Sequence, residues 1–302
     1  MCMWFRTHLP RRAERHEDGT KMKSFNDITS EYYSRTKGAK HRAAGFLLLN
    51  RAEAAFLTLE EVAARAGVSP ATVTRCVAEM GYESYHEMLK DLREAVRQAM
   101  PPMERLNERL GTGYASGFDE SVKNDCDNIG KMMSLNGPDA VKSAVDALAD
   151  AARIRLFASR TSYGAMSFFA FALAQTRPDV ALLSEAEGRL TEYLLDASPD
   201  DLYFVADLPR YARTSLFCAE HARRRGCKVL ALTDSPSSPL ARCADISLFV
   251  PFESHSFFNS SVAALTMYNG LATALNLKLK DSSLERLRSH NALLREMDLL
   301  VL

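Results

Sequence analysis

The chain is poor in the features that would mark a stapled, metal-bound or membrane protein. Six cysteines stand scattered through 302 residues: Cys2, Cys76, Cys126, Cys218, Cys227 and Cys243. None forms a C-x-x-C pair and none has a histidine at metal-ligand spacing. Free thiols in a reducing cytoplasm are expected, with no metal site. No run approaches the ~18 apolar residues that span a bilayer, so no membrane partner is expected. Residues 1–23 lack the apolar stretch of a signal peptide and read as a disordered arm or a start-site extension ahead of Met22. Neither sign of charge is in excess: Lys+Arg and Asp+Glu are both 38. That excludes a basic nucleic-acid coat and leaves room for a local DNA-binding face. There is no internal repeat, and no cofactor is expected.

What is present falls into successive regions. Residues 24–100 are helical in pattern. Residues 101–125 carry Pro101-Pro102 and three glycines and read as a linker, with room for a short helix. Residues 126–302 alternate short apolar runs with helical patterns, as βαβ units do. The strand candidates are Ile154–Ala158, Val180–Leu183, Leu202–Ala206, Val229–Thr233 and Ile246–Val250. Helical patterns lie between them, at 164–175, 187–195, 214–225 and 237–244, and a last one runs over 260–275. Continuous apolar strands suit a sheet covered on both faces. The expected fold is an all-α domain followed by a doubly wound parallel α/β sheet of about five strands, with ligands at the carboxyl ends of the strands near the switch in strand order.

Residues 58–81 have the chemistry of a helix-turn-helix. Thr58 and Glu61 form a capping box. Ala63 is small enough for a second helix to cross closely. Gly67 supplies the left-handed turn, and Val68 is expected to be buried in it. Ser69 caps the next helix with Pro70 in its first turn. Val73 and Val77 face the core. The exposed face of that second helix should carry Ser69, Ala71, Thr72, Thr74 and Arg75 into the major groove of double-stranded DNA. Lys40 and Arg42, on the helix before, would supply positive charge against phosphates. A helical hairpin that never meets DNA is the bland alternative.

Residues 58–95 resemble the N-terminal domain of the RpiR/MurR family of bacterial transcriptional regulators. Val68, Ser69, Thr72, Val73 and Arg75 match its recognition helix; Gly81, Tyr82 and Tyr85 match the turn that follows. The resemblance implies a C-terminal SIS (sugar isomerase) domain for effector binding and oligomerisation over 126–302. Gly226, Thr233, Asp234, Ser238, Pro239, Leu240, Ala241, Ala244 and Asp245 fit that domain's motif. It also implies a homodimer or homotetramer, a DNA operator and a small-molecule effector.

The ligand loops depart from the family. Its G-x-G-x-S loop after the first strand is Ala158-Ser159-Arg160-Thr161-Ser162 here. Its S-x-S-G-x-T loop after the third strand is Asp207-Leu208-Pro209-Arg210-Tyr211-Ala212. Both lose phosphate-facing donors and gain an arginine, and the second gains a carboxylate. A small acidic or zwitterionic metabolite is expected instead of a standard phosphosugar. Arg160, Ser162, Asp207, Arg210 and Tyr211 should line the site, with Ser254, Asn259 and Ser260 from the last loop. The alternatives are arginines that only pair with Asp207, Glu185 or Glu187 in a domain that senses nothing, arginines that support a dimer interface, and a SIS-fold isomerase. His255 with Glu253 is the nearest acid–base pair for catalysis. With the phosphate anchor eroded, no catalytic residue is assigned.

Overall fold

The computed structural model describes residues 25–100, 102–107, 110, 113–186 and 188–298. The expected N-terminal arm and Glu187 lie outside them. The helical head comprises α1 (Phe25–Arg35), α2 (Gly38–Leu49), α3 (Arg51–Ala54), α4 (Leu59–Ala66), α5 (Pro70–Glu79) and α6 (Tyr85–Ala99). They close on one core that includes Tyr32, Leu47, Val62, Ala63, Val73, Val77, Met88 and Leu92. Residues 101–125, expected as a linker with room for a short helix, hold the short α7 (Pro102–Asn107) and, beyond that expectation, the first half of the long α8 (Tyr114–Leu135). Val68 is only partly buried against the head core.

The remainder is α9 (Pro138–Asp150), β1 (Arg153–Ala158), α10 (Thr161–Thr176), β2 (Val180–Leu183), α11 (Leu190–Leu195), β3 (Asp201–Ala206), α12 (Arg213–Arg224), β4 (Lys228–Thr233), α13 (Pro239–Cys243), β5 (Ile246–Phe249) and α14 (Val262–Glu296). All strands are parallel, in the order β2-β1-β3-β4-β5. The register aligns Ala158 with Ala206, and Leu156 with both Leu182 and Phe204. Alternation sorts the strand residues onto two cores. Leu156, Phe204 and Leu230 pack with residues of α9, α10 and α14. Phe157, Tyr203, Val205 and Ala231 pack with residues of α12 and Leu240 of α13. This is the expected doubly wound sheet, and every strand candidate is found within a residue or two.

The chain leaves β1 toward β2 and then crosses back to β3. The switch in strand order therefore falls between β1 and β3, at the carboxyl ends where residues 159–160 and 207–212 lie side by side. The last helix runs about twenty residues past its expected end, to Glu296, with a kink at Lys280 (φ 3°, ψ −73°).

Candidate functional site

The helix-turn-helix is built from its caps. The Thr58 hydroxyl accepts from the Glu61 N–H, and the Glu61 carboxylate accepts from the Thr58 N–H at 2.8 Å. These bonds hold the Glu61 carboxyl below the usual carboxylate range. Gly67 turns the chain at φ 63°. The Ser69 hydroxyl then accepts from the Thr72 N–H at 3.3 Å, with Pro70 in the first turn of α5. Val73 and Val77 are buried, which leaves Ser69, Ala71, Thr74 and Arg75 exposed on the other side of α5. Thr72 departs from the expectation. It is buried, and its hydroxyl pairs with that of Ser69 at 2.9 Å, so it completes the cap and is not on the exposed face.

The two basic residues of α2 also have partners within the head. Lys40 Nζ binds Glu79 Oε1 at 2.6 Å, and Tyr32 donates to the other oxygen at 2.7 Å. Both hold the Glu79 carboxyl below its usual range. Lys40 therefore ties the end of α5 to α2. Arg42 donates to the Gly67 carbonyl at 3.3 Å and remains exposed beside the turn. Sequence reasoning missed Glu79. A carboxylate at the last turn of a presumed DNA-facing helix was the available signal.

At the switch point both arginines occupy a glycine's backbone. Arg160 sits between β1 and α10 at φ 56°, ψ −127°, and Arg210 lies in the next loop at φ 71°. A side chain at such angles is strained by about 1–3 kcal/mol, and the surroundings must impose it. Both arginines are exposed, and neither forms an ion pair with a described residue. Arg160 nonetheless lends its charge to Asp207 without a direct ion pair.

Beneath them lie two acids, each one residue past a strand end. Asp207 is buried; its carboxylate accepts the N–H groups of Leu208 at 3.0 Å and Ala212 at 2.7 Å. Burial raises its pKa, while the Ser215 hydroxyl, those N–H groups and the Arg160 charge pull the other way. Asp234 accepts from the Tyr211 hydroxyl at 2.6 Å and from Thr233 at 3.1 Å, and burial raises its pKa too. Ser159 and Ser215 join the base at 3.3 Å. The crevice beneath holds only about 10 Å³, lined by Ser162, Asp207, Ser261 and Tyr268 among others. That is room for about one water.

The structure thus groups Arg160, Ser162, Asp207, Arg210 and Tyr211 around the strand ends. The last-loop residues are engaged elsewhere. Asn259 accepts from the buried Arg105 of α7 at 3.1 Å, and Ser260 donates to Asp125 of α8 at 2.5 Å. Ser254 accepts from the Ser256 N–H at 3.0 Å. His255 is 3.3 Å from Glu120 of α8, and Glu253 is 3.7 Å from Lys131 of the same helix. Loop 253–260 therefore clamps α7 and α8 to the sheet domain.

Comparison with known proteins follows the same division. Residues 147–274 match the SIS domain family. The chain is 26% identical over 251 residues to the HTH-type transcriptional regulator HexR of Pseudomonas aeruginosa, spanning 80% of this chain and 85% of HexR. The sugar isomerase domain of an RpiR transcription factor from Sphaerobacter thermophilus superposes with a TM-score of 0.56 at 26% identity, covering 57% of this chain and 97% of that domain. The Vibrio vulnificus NanR protein, solved in complex with ManNAc-6P, shares the fold over 91% of this chain and 99% of its own, with a TM-score of 0.57 at 18% identity.

Proposed function

We propose that the chain is an RpiR-family SIS-domain transcriptional regulator that reads a DNA operator with α5 and answers to a small metabolite at the switch point of its sheet. The observation that carries the DNA reading is the exposed Ser69, Ala71, Thr74 and Arg75 edge of a doubly capped, buried-backed helix. Hydroxyls at its N-terminus suit phosphates or base edges, and Arg75 suits guanine or phosphate. Two such heads in a homodimer would meet half-sites about one turn of DNA apart, roughly 34–36 Å. Operator fragments selected from genomic DNA, followed by Arg75→Ala, provide the test. The variant should lose about 1–3 kcal/mol of operator affinity with its melting temperature unchanged. Unchanged affinity removes Arg75 from the contact set.

The effector of this reading is acidic or zwitterionic. Two unpaired guanidinium groups flank the switch point, and Arg grips carboxylates bidentately. The carboxylate of Asp207 already takes two loop N–H groups that a phosphate would need, and it repels a phosphate monoester. With room for about one water beneath, the ligand rests across the crevice mouth against Arg160, Arg210 and Tyr211. The NanR complex favours a second reading, in which a sugar phosphate is the effector. A thermal-shift screen of the full chain separates the two. Stabilisation by unphosphorylated acids or amino acids, lost in Arg210→Ala, supports the arginine site; stabilisation by sugar phosphates alone sinks it.

No described helix is long and apolar enough to cross a membrane. Catalysis has little support: HexR, a relative aligned over 80% of the chain, is named a transcriptional regulator.

A further inference from the structure

A cavity of about 340 Å³ opens at the other end of the sheet domain. Its walls are the exit of α10 (Thr176, Arg177, Pro178) and the part of α14 around and beyond the Lys280 kink. Two guanidinium groups are fixed there by carbonyls. Arg286 Nε donates to the Ala174 carbonyl at 3.0 Å, and no described residue accepts from its two Nη groups. Arg177 gives both Nη groups to the carbonyls of Ala149 and Ala151 at the end of α9, while its Nε is buried without a partner among the described residues. The Nε of Arg177 is shielded from the cavity and has the carboxylates of Asp179 and Asp150 nearby, so the exposed Nη groups of Arg286 are the donors a ligand can reach, and they suit an anionic group.

The cavity also offers acceptors. The hydroxyls of Thr176, Ser282 and Ser289 each donate to a carbonyl of their own helix, leaving their oxygens to accept. Glu285, on the same wall, forms no ion pair with a described residue. A bare phosphate would meet that carboxylate unfavourably. A molecule with one carboxylate for Arg286 and hydroxyl donors for Glu285 and the serines satisfies both.

We infer that this cavity is a second ligand site, for a small hydroxy acid, distinct from the switch point. The same two helices serve both ends. Ser162 and Ala165 of α10, with Ser261 and Ala264 at the start of α14, line the upper crevice. The 16 residues of α10 span about 24 Å between the two sites. Communication between them rests on the switch-point reading; binding at the lower cavity does not.

Calorimetric titration of the full chain with D-gluconate tests the inference, with sorbitol as the control lacking a carboxylate. Gluconate should bind and sorbitol should not. Arg286→Gln should weaken gluconate binding at least about tenfold, equivalent to about 1.4 kcal/mol. Ser282→Glu, which places a carboxylate one helical turn before Arg286 where the two can pair, should do the same. Arg210→Ala should keep a gluconate-binding site, the one that Arg286→Gln weakens, because Arg210 does not line the lower cavity. No binding by the wild type, equal binding of sorbitol, or loss in Arg210→Ala overturns the inference; the last result would place the acid at the switch point instead.

Discussion

Arg160 and Arg210 hold backbone angles that glycine adopts without strain, yet glycine would bring no charge. Strain of about 1–3 kcal/mol per site is offset in part by the ~0.5–1 kcal/mol entropic cost of a glycine. Arg160→Gly and Arg210→Gly should therefore each stabilise the protein by about 1 kcal/mol, while Arg160→Ala, which keeps a Cβ, should not. Thermal denaturation of the three variants decides this. A glycine variant that melts below the wild type would mean the arginine side chains make stabilising contacts. Asp207 makes a pH prediction. Its native pKa is raised by burial, so the native state holds the proton more tightly than the unfolded chain does. The resulting penalty is absent below the unfolded value of about 3.9 and grows as pH rises through the native value. Urea midpoints should shift in favour of Asp207→Asn, relative to wild type, between about pH 4 and pH 7; a pH-independent gap between the two proteins would contradict the raised value. The arginines were legible in the sequence as departures from a loop pattern. Their angles were not, because only the strand–turn–helix geometry reveals that the loop kept its glycine shape after losing its glycines.

At the scale of the element, capping and periodicity carried most of the fold. The Thr58–Glu61 box and the Gly67 turn fix α4, and Ser69 with Pro70 fixes the start of α5 within one residue. Strands were legible because short β-branched and aromatic runs stand between helical patterns. The role of Thr72 was not. It sits at the third helical position, where facing out and bonding back to the cap look alike in sequence. The long α8 was also missed, since Gly113, Gly117 and nearby polar residues read as linker, although helix 114–135 is held by Asn124 and Asn128 reaching the Glu253 carbonyl at 2.6 and 2.8 Å. Tertiary contacts override weak propensity there. The cap at Ser69 yields a paired prediction. Ser69→Ala should cost about 1 kcal/mol of stability, whereas Ser69→Gly should cost only a few tenths. Operator affinity should fall in both if the hydroxyl meets DNA. Full affinity in Ser69→Gly would restrict Ser69 to capping.

For the whole molecule the net charge is zero, and the head is balanced too: residues 24–100 hold ten Lys and Arg against ten Asp and Glu. Several of its cations are already engaged: Lys40 with Glu79, Arg65 with Glu53, and Arg51 with Asn26 at 2.6 Å. Few therefore remain to displace counterions. Operator affinity should fall with salt along a log–log slope of about −0.9 per phosphate contacted, and each half-site should contribute a small number of contacts. A slope as steep as that of a strongly basic binder, measured by fluorescence anisotropy across a salt series, would place further cations at the interface.

The sheet order sets a timetable for the newborn chain. The head's core is complete once α6 has emerged, near residue 99. The sheet's centre waits for β3, because β1 pairs with it across a skipped neighbour, and the face packed by α14 waits for residues 262–275. At about 5–20 residues per second, the interval between them is roughly ten to forty seconds. During that time the ribosome carries a folded head with no finished sheet domain behind it. Each new copy thus begins life able to fold its helix-turn-helix before the SIS domain that follows it exists.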